Sequence, residues 1–382
     1  MQLHAETIAI VLFWLAFAVP AYSYFFFPMV LHTLARLRDK HFASDVDNEP
    51  PVTLLISAYN EARAIEGKLE NSLALDYPPD KLQIIVINDG SSDGTDDIVE
   101  RYTARGITHH RVEGRVGKNV AINKTWSMVK GEVVVFSDAN SLYGKDAIRR
   151  MVSHFADERV GCVCGELRYV DAGTGTARGE DLYWKYEQYL KRLESRMGQV
   201  LVLNGSIFAI RQGVFRELHS RIANDFQIAV DVASQGLSII YEPDAVAREK
   251  AATSARDEFN RKTRIIARGF QGFWHYLREF HGVRRFLLFS HKFLRWTIWL
   301  AMAVGFAANA LLLDHTFFRW TFAGQVLFYA LALAGPLLVR LRIRVLAIPY
   351  YFCMINVAAF VGFWKFMTRR QQGSWEPPSS AR

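Results

Sequence analysis

Four stretches of the chain carry no lysine, arginine, aspartate or glutamate: 7–35, 296–313, 320–339 and 345–364. A membrane-spanning helix needs about 20 mostly apolar residues. Each stretch therefore reads as a candidate span, the first over roughly 7–27 because Pro20 and Pro28 interrupt it. A buried helix of a soluble core competes for any single stretch. Three in close succession, each bounded by arginine, lysine or aspartate, argue against it. A cleaved leader competes for the first, but the head from Met1 to Glu6 has no positive charge and carries an acid. Arg36, Arg38 and Lys40 follow the stretch, which predicts an outside N-terminus and a cytoplasmic middle. Arg340, Arg342 and Arg344 agree with that topology, whereas Arg369 and Arg370 after the last stretch do not.

The pattern changes between the apolar ends. Val52–Ser57, Leu82–Asn88, Glu132–Ser137 and Val160–Tyr169 are short apolar runs that read as buried strands. Helical spacing separates them over 61–75, about 95–105, about 118–129 and about 145–156. Strands alternating with helices imply a parallel sheet covered on both faces, with ligands bound at the carboxyl ends of the strands.

Composition adds limits. The chain is 51% apolar and 22% charged with 11 prolines, which excludes a disordered or collagen-like protein. Three cysteines make no paired framework and no zinc motif, so a reducing compartment is expected. Cys162 and Cys164 alternate on a strand and read as packing. The net charge is +8, and residues 256–295 hold ten lysines and arginines against three acids, so the charge is a local band. Within 257–280, Phe259, Ile266, Phe270, Phe273, Leu277 and Phe280 recur at helical spacing opposite Arg261, Arg264, Arg268, His275 and Arg278. This predicts an amphipathic helix lying on the cytoplasmic leaflet and contacting membrane lipids. A nucleic-acid groove is the competing reading, and the adjacent membrane span argues against it.

Polar and acidic residues follow the strands: Ala58-Tyr59-Asn60-Glu61, Asp89-Gly-Ser-Ser-Asp93, and Asp138-Ala-Asn140. Asp93 and Asp96 suit turn or cap roles equally well. Neither a GxGxxG nor a phosphate-binding P-loop motif is present.

Taken together these residues resemble the family 2 inverting glycosyltransferases of GT-A fold, in particular the membrane-embedded branch of hyaluronan, chitin and cellulose synthases. The resemblance covers roughly 50–270 and the flanking spans. It implies an α/β, Rossmann-like, mostly parallel GT-A domain with one N-terminal and about three C-terminal membrane helices plus the amphipathic helix. It implies that Ala58, Tyr59, Glu61, Asp89 and Lys118 contact the nucleotide of a UDP-sugar. Gly117-Lys118-Asn119 with Asn123 stands where the family has a GKxxALN segment. Asp138 and Asn140 occupy the DxD position for Mg2+ or Mn2+, with the second acid amidated. Asn224-Asp225 stands at the acidic pair whose last member is the catalytic base, again with the first amidated. Asn204-Gly205-Ser206 matches a loop near the donor sugar or acceptor. Arg261 and Arg264 stand at a (Q/R)xxRW motif whose tryptophan is here Ile265; Lys292-Phe-Leu-Arg295-Trp296 is a second candidate for it.

The chain thus divides into a membrane segment (1–35), a cytoplasmic domain (36–255), a basic interface region (256–292), membrane helices (293–366) and a tail (367–382). The implied function is transfer of a sugar to a lipid-linked or polysaccharide acceptor at a membrane, with a bacterial inner membrane as the expected location. A processive synthase that also translocates its product is the alternative, and four spans would then call for a homodimer or a secretion-complex partner. A catalytically silent assembly partner is a third reading, motivated by the two asparagines. Trp184, Tyr186, Tyr189 and Trp274 could stack on sugars or fill core positions, and Glu187 and Glu194 could pair with Lys191.

Overall fold

The computed structural model describes residues 2–170, 177–250, 254–340 and 348–368. Its centre is one eight-stranded sheet. The strands are β1 Val52–Ala58, β2 Leu82–Asn88, β3 Ile107–Arg111, β4 Val133–Asp138, β5 Leu142–Tyr143, β6 Val160–Val170, β7 Ile207–Arg211 and β8 Ser238–Lys250. Their spatial order is β3-β2-β1-β4-β7-β6-β8-β5. β3, β2, β1 and β4 run parallel, and β6 and β8 run parallel to each other. β7 is antiparallel to both β4 and β6, and β5 is antiparallel to β8. The alternation of strand and helix in the sequence thus gives the Rossmann-like half. The mixed half joins β6, which the sequence does announce, to β5, β7 and β8, which it does not.

Both faces of the sheet are covered, because successive side chains of a strand point to opposite sides. Leu54, Ile56, Val86 and Val135 pack with Ile65 and Leu69 of the helix Ile65–Leu73 on one face. Leu55, Ile85, Val134 and Phe136 pack with Ala121, Ile122, Ile228 and Val232 on the other. Phe136 stacks on Phe208 across β4 and β7 with ring centres 4.6 Å apart.

Among the described residues three helices are long and apolar enough to cross a membrane: His4–Leu37, Thr316–Leu338 and Ile348–Met367. A fourth span is possible if Gly282–Trp296 and Ile298–Ala310, bent by 55°, act as one. The first helix continues past both prolines, because a π-helical turn at Tyr22–Phe26 absorbs the disruption ahead of Pro28. Its Phe27 and Leu31 pack on Leu190 and Leu193 of the helix Ala177–Arg196. Tyr186 donates to the Ser23 carbonyl at 2.7 Å, and Tyr189 lies 3.3 Å from His32. Those two aromatics dock the membrane helix onto the sheet domain. Arg342, Arg344, Arg369 and Arg370, on which the topology argument leans, lie outside the described residues, as does most of the tail.

The basic amphipathic helix spans Ala255–Tyr276 and starts at Ser254, whose hydroxyl caps the Asp257 amide at 3.1 Å. Its apolar face is covered by protein as well as facing the membrane segments. Ile266 and Phe270 pack with Ala359, Phe363 and Phe366 of the last helix and with Trp296. The helix is therefore a wedge between the last membrane helix and the sheet domain, and not a raft on an open leaflet.

Candidate active site

The parallel register aligns the carboxyl ends of three strands. Ala58 stands opposite Asn88, and Ser57 opposite Asp138. The chain leaves β2 with the Asp89 amide on the Ala58 carbonyl at 3.0 Å, and leaves β4 with the Ala139 amide on the Ser57 carbonyl at 3.2 Å. The loops after β1 and β2 are stitched together. The Asn60 amide donates to Ser91 Oγ, and Asn60 Oδ1 accepts from the Ser92 amide, both at 2.9 Å. Asn60 holds φ +53°, the one positive value outside glycine among the described residues. The Glu61 amide donates to Thr95 Oγ1 at 3.0 Å, and Asp93 accepts from the Ala62 amide at 3.0 Å, so Asp93 is a turn residue. Arg115 lies over the Tyr59 ring at 4.2 Å and closes one side of the cleft.

Asp89 accepts from the amides of Val116 (2.8 Å) and Gly117 (2.9 Å). This fixes the turn that begins the helix Lys118–Thr125 and aims Lys118 at the end of β4, where it pairs with Asp138 Oδ1. Ser206 Oγ donates to Asp138 Oδ2 at 3.3 Å. Beneath Asp138 lies Lys68, fully buried. Its ammonium donates to the Ser141 carbonyl at 2.6 Å and sits 3.9 Å over the Tyr143 ring. Burial pulls its pKa down to about 7, with Asp138 and Glu249 opposing. The Tyr143 hydroxyl in turn lies 2.8 and 2.9 Å from the carbonyls of Phe136 and Ser206, donating to one at a time, which ties β4 to the loop before β7.

Asp225 opens the helix Asn224–Ser234 and accepts from the Phe226 amide at 2.9 Å. Burial pushes its carboxyl above the ordinary range, against the nearby charges of Arg268 and Lys118. A Cβ on Gly205 would stand 3.3 Å from Asp225 Oδ2, so a residue without one lets the loop lie against the carboxylate. The chain entering this helix is held by side chains from two other elements. Asn119 donates to the carbonyls of His219 and Ile222 at 2.7 and 2.8 Å, Asn123 to that of Leu218 at 2.9 Å, and Arg268 to that of Ile222 at 2.8 Å. Arg264 has no hydrogen-bond partner among the described residues. Its pKa is pulled down to about 10 by burial and by repulsion from Arg268 and Arg261.

The residues singled out in the sequence therefore converge, but not all face the cleft. Asn204 spends its amide on the Gly165 carbonyl and on the Lys191 ammonium, at 2.5 Å each, so it braces the loop that carries Gly205 and Ser206. Arg261 is engaged by Glu258 at 2.7 and 2.9 Å and by the Tyr169 hydroxyl. Asn224 is buried with its amide nitrogen unpartnered. Trp184 donates to the Leu167 carbonyl at 2.9 Å and meets Tyr169 edge to face, which places it in the wall, whereas Trp274 is 69% exposed. Glu187 and Glu194 pair with His291, Lys292 and Arg295, not with Lys191. Sequence reasoning missed Lys68, Arg115, Arg268 and Glu249. Only Arg268 carried a signal, as the next arginine on the polar face of its helix.

Glu61 has a pH signature. Its carboxyl is pushed from an ordinary 4.5 up to about 8, by burial first and then by Asp138, Asp93 and Glu249. Between those values the folded chain keeps a proton that the unfolded chain has released, so stability falls as pH rises through the window. The expected slope is at most about 1.4 kcal/mol per pH unit. Thermal unfolding of the wild type minus Glu61→Gln, from pH 5 to 8 without nucleotide, isolates it. A difference independent of pH would contradict the assignment.

The donors present suit a divalent cation held jointly with substrate. Among the described residues no three His, Cys, Asp or Glu side chains stand close enough to hold one alone. Hard cations of this kind are commonly bound by one or two carboxylates plus phosphate oxygens. Asp138 and the amide oxygen of Asn140, half-exposed at the end of β4, fit that arrangement.

Comparison with known proteins gives the same reading. Residues 53–219 match the profile of glycosyl transferase family 2. A probable glycosyltransferase of Bacillus subtilis, YdaM, is 30% identical over 237 residues, 58% of this chain and 56% of that protein. A poly-beta-1,6-N-acetyl-D-glucosamine synthase of Staphylococcus aureus is 28% identical over 210 residues, 53% and 50% of the two chains. The chain thus matches about half the length of these curated relatives. The solved mannosyltransferase of Pyrobaculum calidifontis, in complex with GDP-Man and Mn2+, superposes with a TM-score of 0.71 at 25% identity, covering 93% of this chain and 99% of that one. Residues 53–219 are thus similar to glycosyltransferase family 2, and the fold is similar to that of a solved mannosyltransferase.

Proposed function

We propose that the chain is a membrane-bound inverting glycosyltransferase that moves a sugar from a nucleoside-diphosphate sugar to a lipid-linked or glycan acceptor in cell-surface polysaccharide synthesis. The observation that carries it is one half-buried carboxylate, Asp225, against the same loop, Gly205-Ser206, that touches Asp138.

The nucleotide lies across the stitched loops after β1 and β2, with Tyr59 and Asp89 beside it. A divalent cation at Asp138, when bound, neutralises the diphosphate and so eases its departure. Lys118 and Arg264 add fixed positive charge to the same leaving group. Asp225 takes the proton of the acceptor hydroxyl as that oxygen bonds the anomeric carbon and the carbon–phosphate oxygen bond breaks. Its raised pKa makes it a stronger base than an exposed aspartate. A single displacement inverts the anomeric centre. A UDP-sugar is the first donor reading, from the resemblance of 57–61 and Asp89 to uridine sites. GDP-mannose is the second, because the mannosyltransferase that matches across the whole chain was solved with it.

Gly90 gives a test of the nucleotide cleft. It sits at φ +72°, and a Cβ there would come within 2.5 Å of the Gly114 carbonyl oxygen, on the loop that feeds Asp89. Gly90→Ala is expected to cost about 1–3 kcal/mol of local strain and so to weaken UDP or GDP binding roughly 5- to 100-fold by calorimetry. Unchanged affinity would remove the nucleotide from this cleft. For the function itself, the full chain in lipid nanodiscs with Mn2+ is expected to transfer radiolabel from one member of a panel of UDP- and GDP-sugars to membrane lipid or glycan. Tight nucleotide binding without transfer from any donor to any membrane extract would favour the silent assembly partner.

A further inference from the structure

The amidated residue of the metal motif has a counterpart elsewhere in the fold. β5 pairs with β8 antiparallel, with Leu142 opposite Arg248. One step back along β5 and one step on along β8, Ser141 faces Glu249, and the Ser141 hydroxyl bonds the Glu249 carboxylate. Ser141 ends the turn that starts at Asp138, its amide on the Asp138 carbonyl at 3.2 Å. Glu249 therefore stands beside the turn that presents Asp138 and Asn140, though 111 and 109 positions along the chain separate it from them.

Each carboxylate accepts from one hydroxyl beside that turn: Asp138 Oδ2 from Ser206 at 3.3 Å, and Glu249 from Ser141. Both acids are half-buried, and each keeps lone pairs that a cation would satisfy. Lys68 lies beneath the same turn, yet its ammonium is spent on the Ser141 carbonyl and the Tyr143 ring. Lys118 covers only the Oδ1 side of Asp138.

We propose that Glu249 supplies the second carboxylate of the divalent-cation site, replacing from β8 the acid that Asn140 lacks on β4. The cation would then be held by Asp138, Glu249 and the diphosphate oxygens, with Asn140 contributing at most a neutral oxygen. This inference rests on the glycosyltransferase reading of the site.

Compensation between positions 249 and 140 tests it. The full chain in nanodiscs is titrated with Mn2+ in the presence of UDP, and again with GDP. Bound Mn2+ is read by electron paramagnetic resonance and nucleotide affinity by calorimetry. Glu249→Gln is expected to weaken Mn2+ binding in the nucleotide complex about tenfold or more, on the scale of metal-site substitutions, with metal-free nucleotide affinity unchanged. Adding Asn140→Asp to Glu249→Gln is expected to restore most of the lost affinity, because it returns a second carboxylate at the motif position. Wild-type Mn2+ affinity in Glu249→Gln overturns the inference. So does a loss that Asn140→Asp leaves unrepaired, since Glu249 would then only support the turn. A wild type that binds neither nucleotide more tightly with Mn2+ overturns the functional reading of the site and this inference with it.

Discussion

Replacing Asp225 by asparagine is expected to lower turnover by roughly 10²–10⁴-fold, the usual contribution of a positioned general base. Nucleotide affinity should barely change, because the proposed nucleotide contacts lie after β1 and β2 and not on the helix Asn224–Ser234. The asparagine keeps the shape and the acceptance of the Phe226 amide. What it loses is the capacity to receive a proton in a buried place where Arg268 and Lys118 already bias the charge. Steady-state kinetics beside a nucleotide titration separate the two effects. Equal losses in turnover and nucleotide affinity would make Asp225 a binding residue.

The second large effect concerns the joint between the sheet domain and the membrane helices. Glu187 is buried and bonds two cations, Lys292 at 2.9 Å and Arg295, as well as the His291 ring at 3.3 Å. Burial alone would raise its pKa, but Arg295, Lys292 and His291 hold it well below the carboxylate range. Glu194 shares His291 at 2.6 Å. Removing one partner of such a group strands the others without compensation, which typically costs about 3–5 kcal/mol. Glu187→Ala should therefore show a large drop in unfolding temperature in nanodiscs, while Glu187→Gln, which keeps the shape, should fall between it and the wild type. A wild-type melting curve for the alanine variant would show that the cluster is solvated.

The same cluster illustrates what the sequence could tell. Glu187 and Glu194 sit seven apart with Lys191 between them, so local spacing offers Lys191 as the partner. The true partners lie about 100 positions later, on a π-helical turn and the helical turn after it, and Lys191 is drawn to Asn204 instead. Contacts of that range have no periodic signature. The strands divide in the same way. β1, β2 and β4 are continuous apolar runs at the sheet centre and were legible to within a residue. β3 reads Ile-Thr-His-His-Arg, and β8 carries Pro243 and three acids, so neither looks like a buried strand. Each is paired along one edge or at a bulge, where polar side chains find solvent or partners. The cleft follows this division. Asp89, Lys118 and Asp138 stand at the ends of legible elements, and the resemblance could place them. Lys68 looks like one more polar position on the helix Ile65–Leu73, and Glu249 like the end of a charged loop. Only the tertiary fold brings them beneath and beside the Asp138 turn.

The arginines of the interface helix were legible as a face, but not in their division of labour. Arg261 pairs with Glu258, Arg268 braces the Ile222 carbonyl ahead of Asp225, and Arg264 is the arginine proposed to serve the diphosphate. That split depends on where the helix is wedged between the last membrane helix and the sheet domain. It couples the position of the base to the membrane segments through Arg268.

The most direct test of the account is the anomeric configuration of the product. With a donor that supports turnover, the configuration of the newly formed linkage is read by proton NMR against that of the donor sugar. Single displacement with Asp225 as base predicts inversion, an α-configured donor giving a β-linkage. Retention would require a second displacement or a front-side attack, and would contradict the assignment of Asp225 as the base of a one-step transfer.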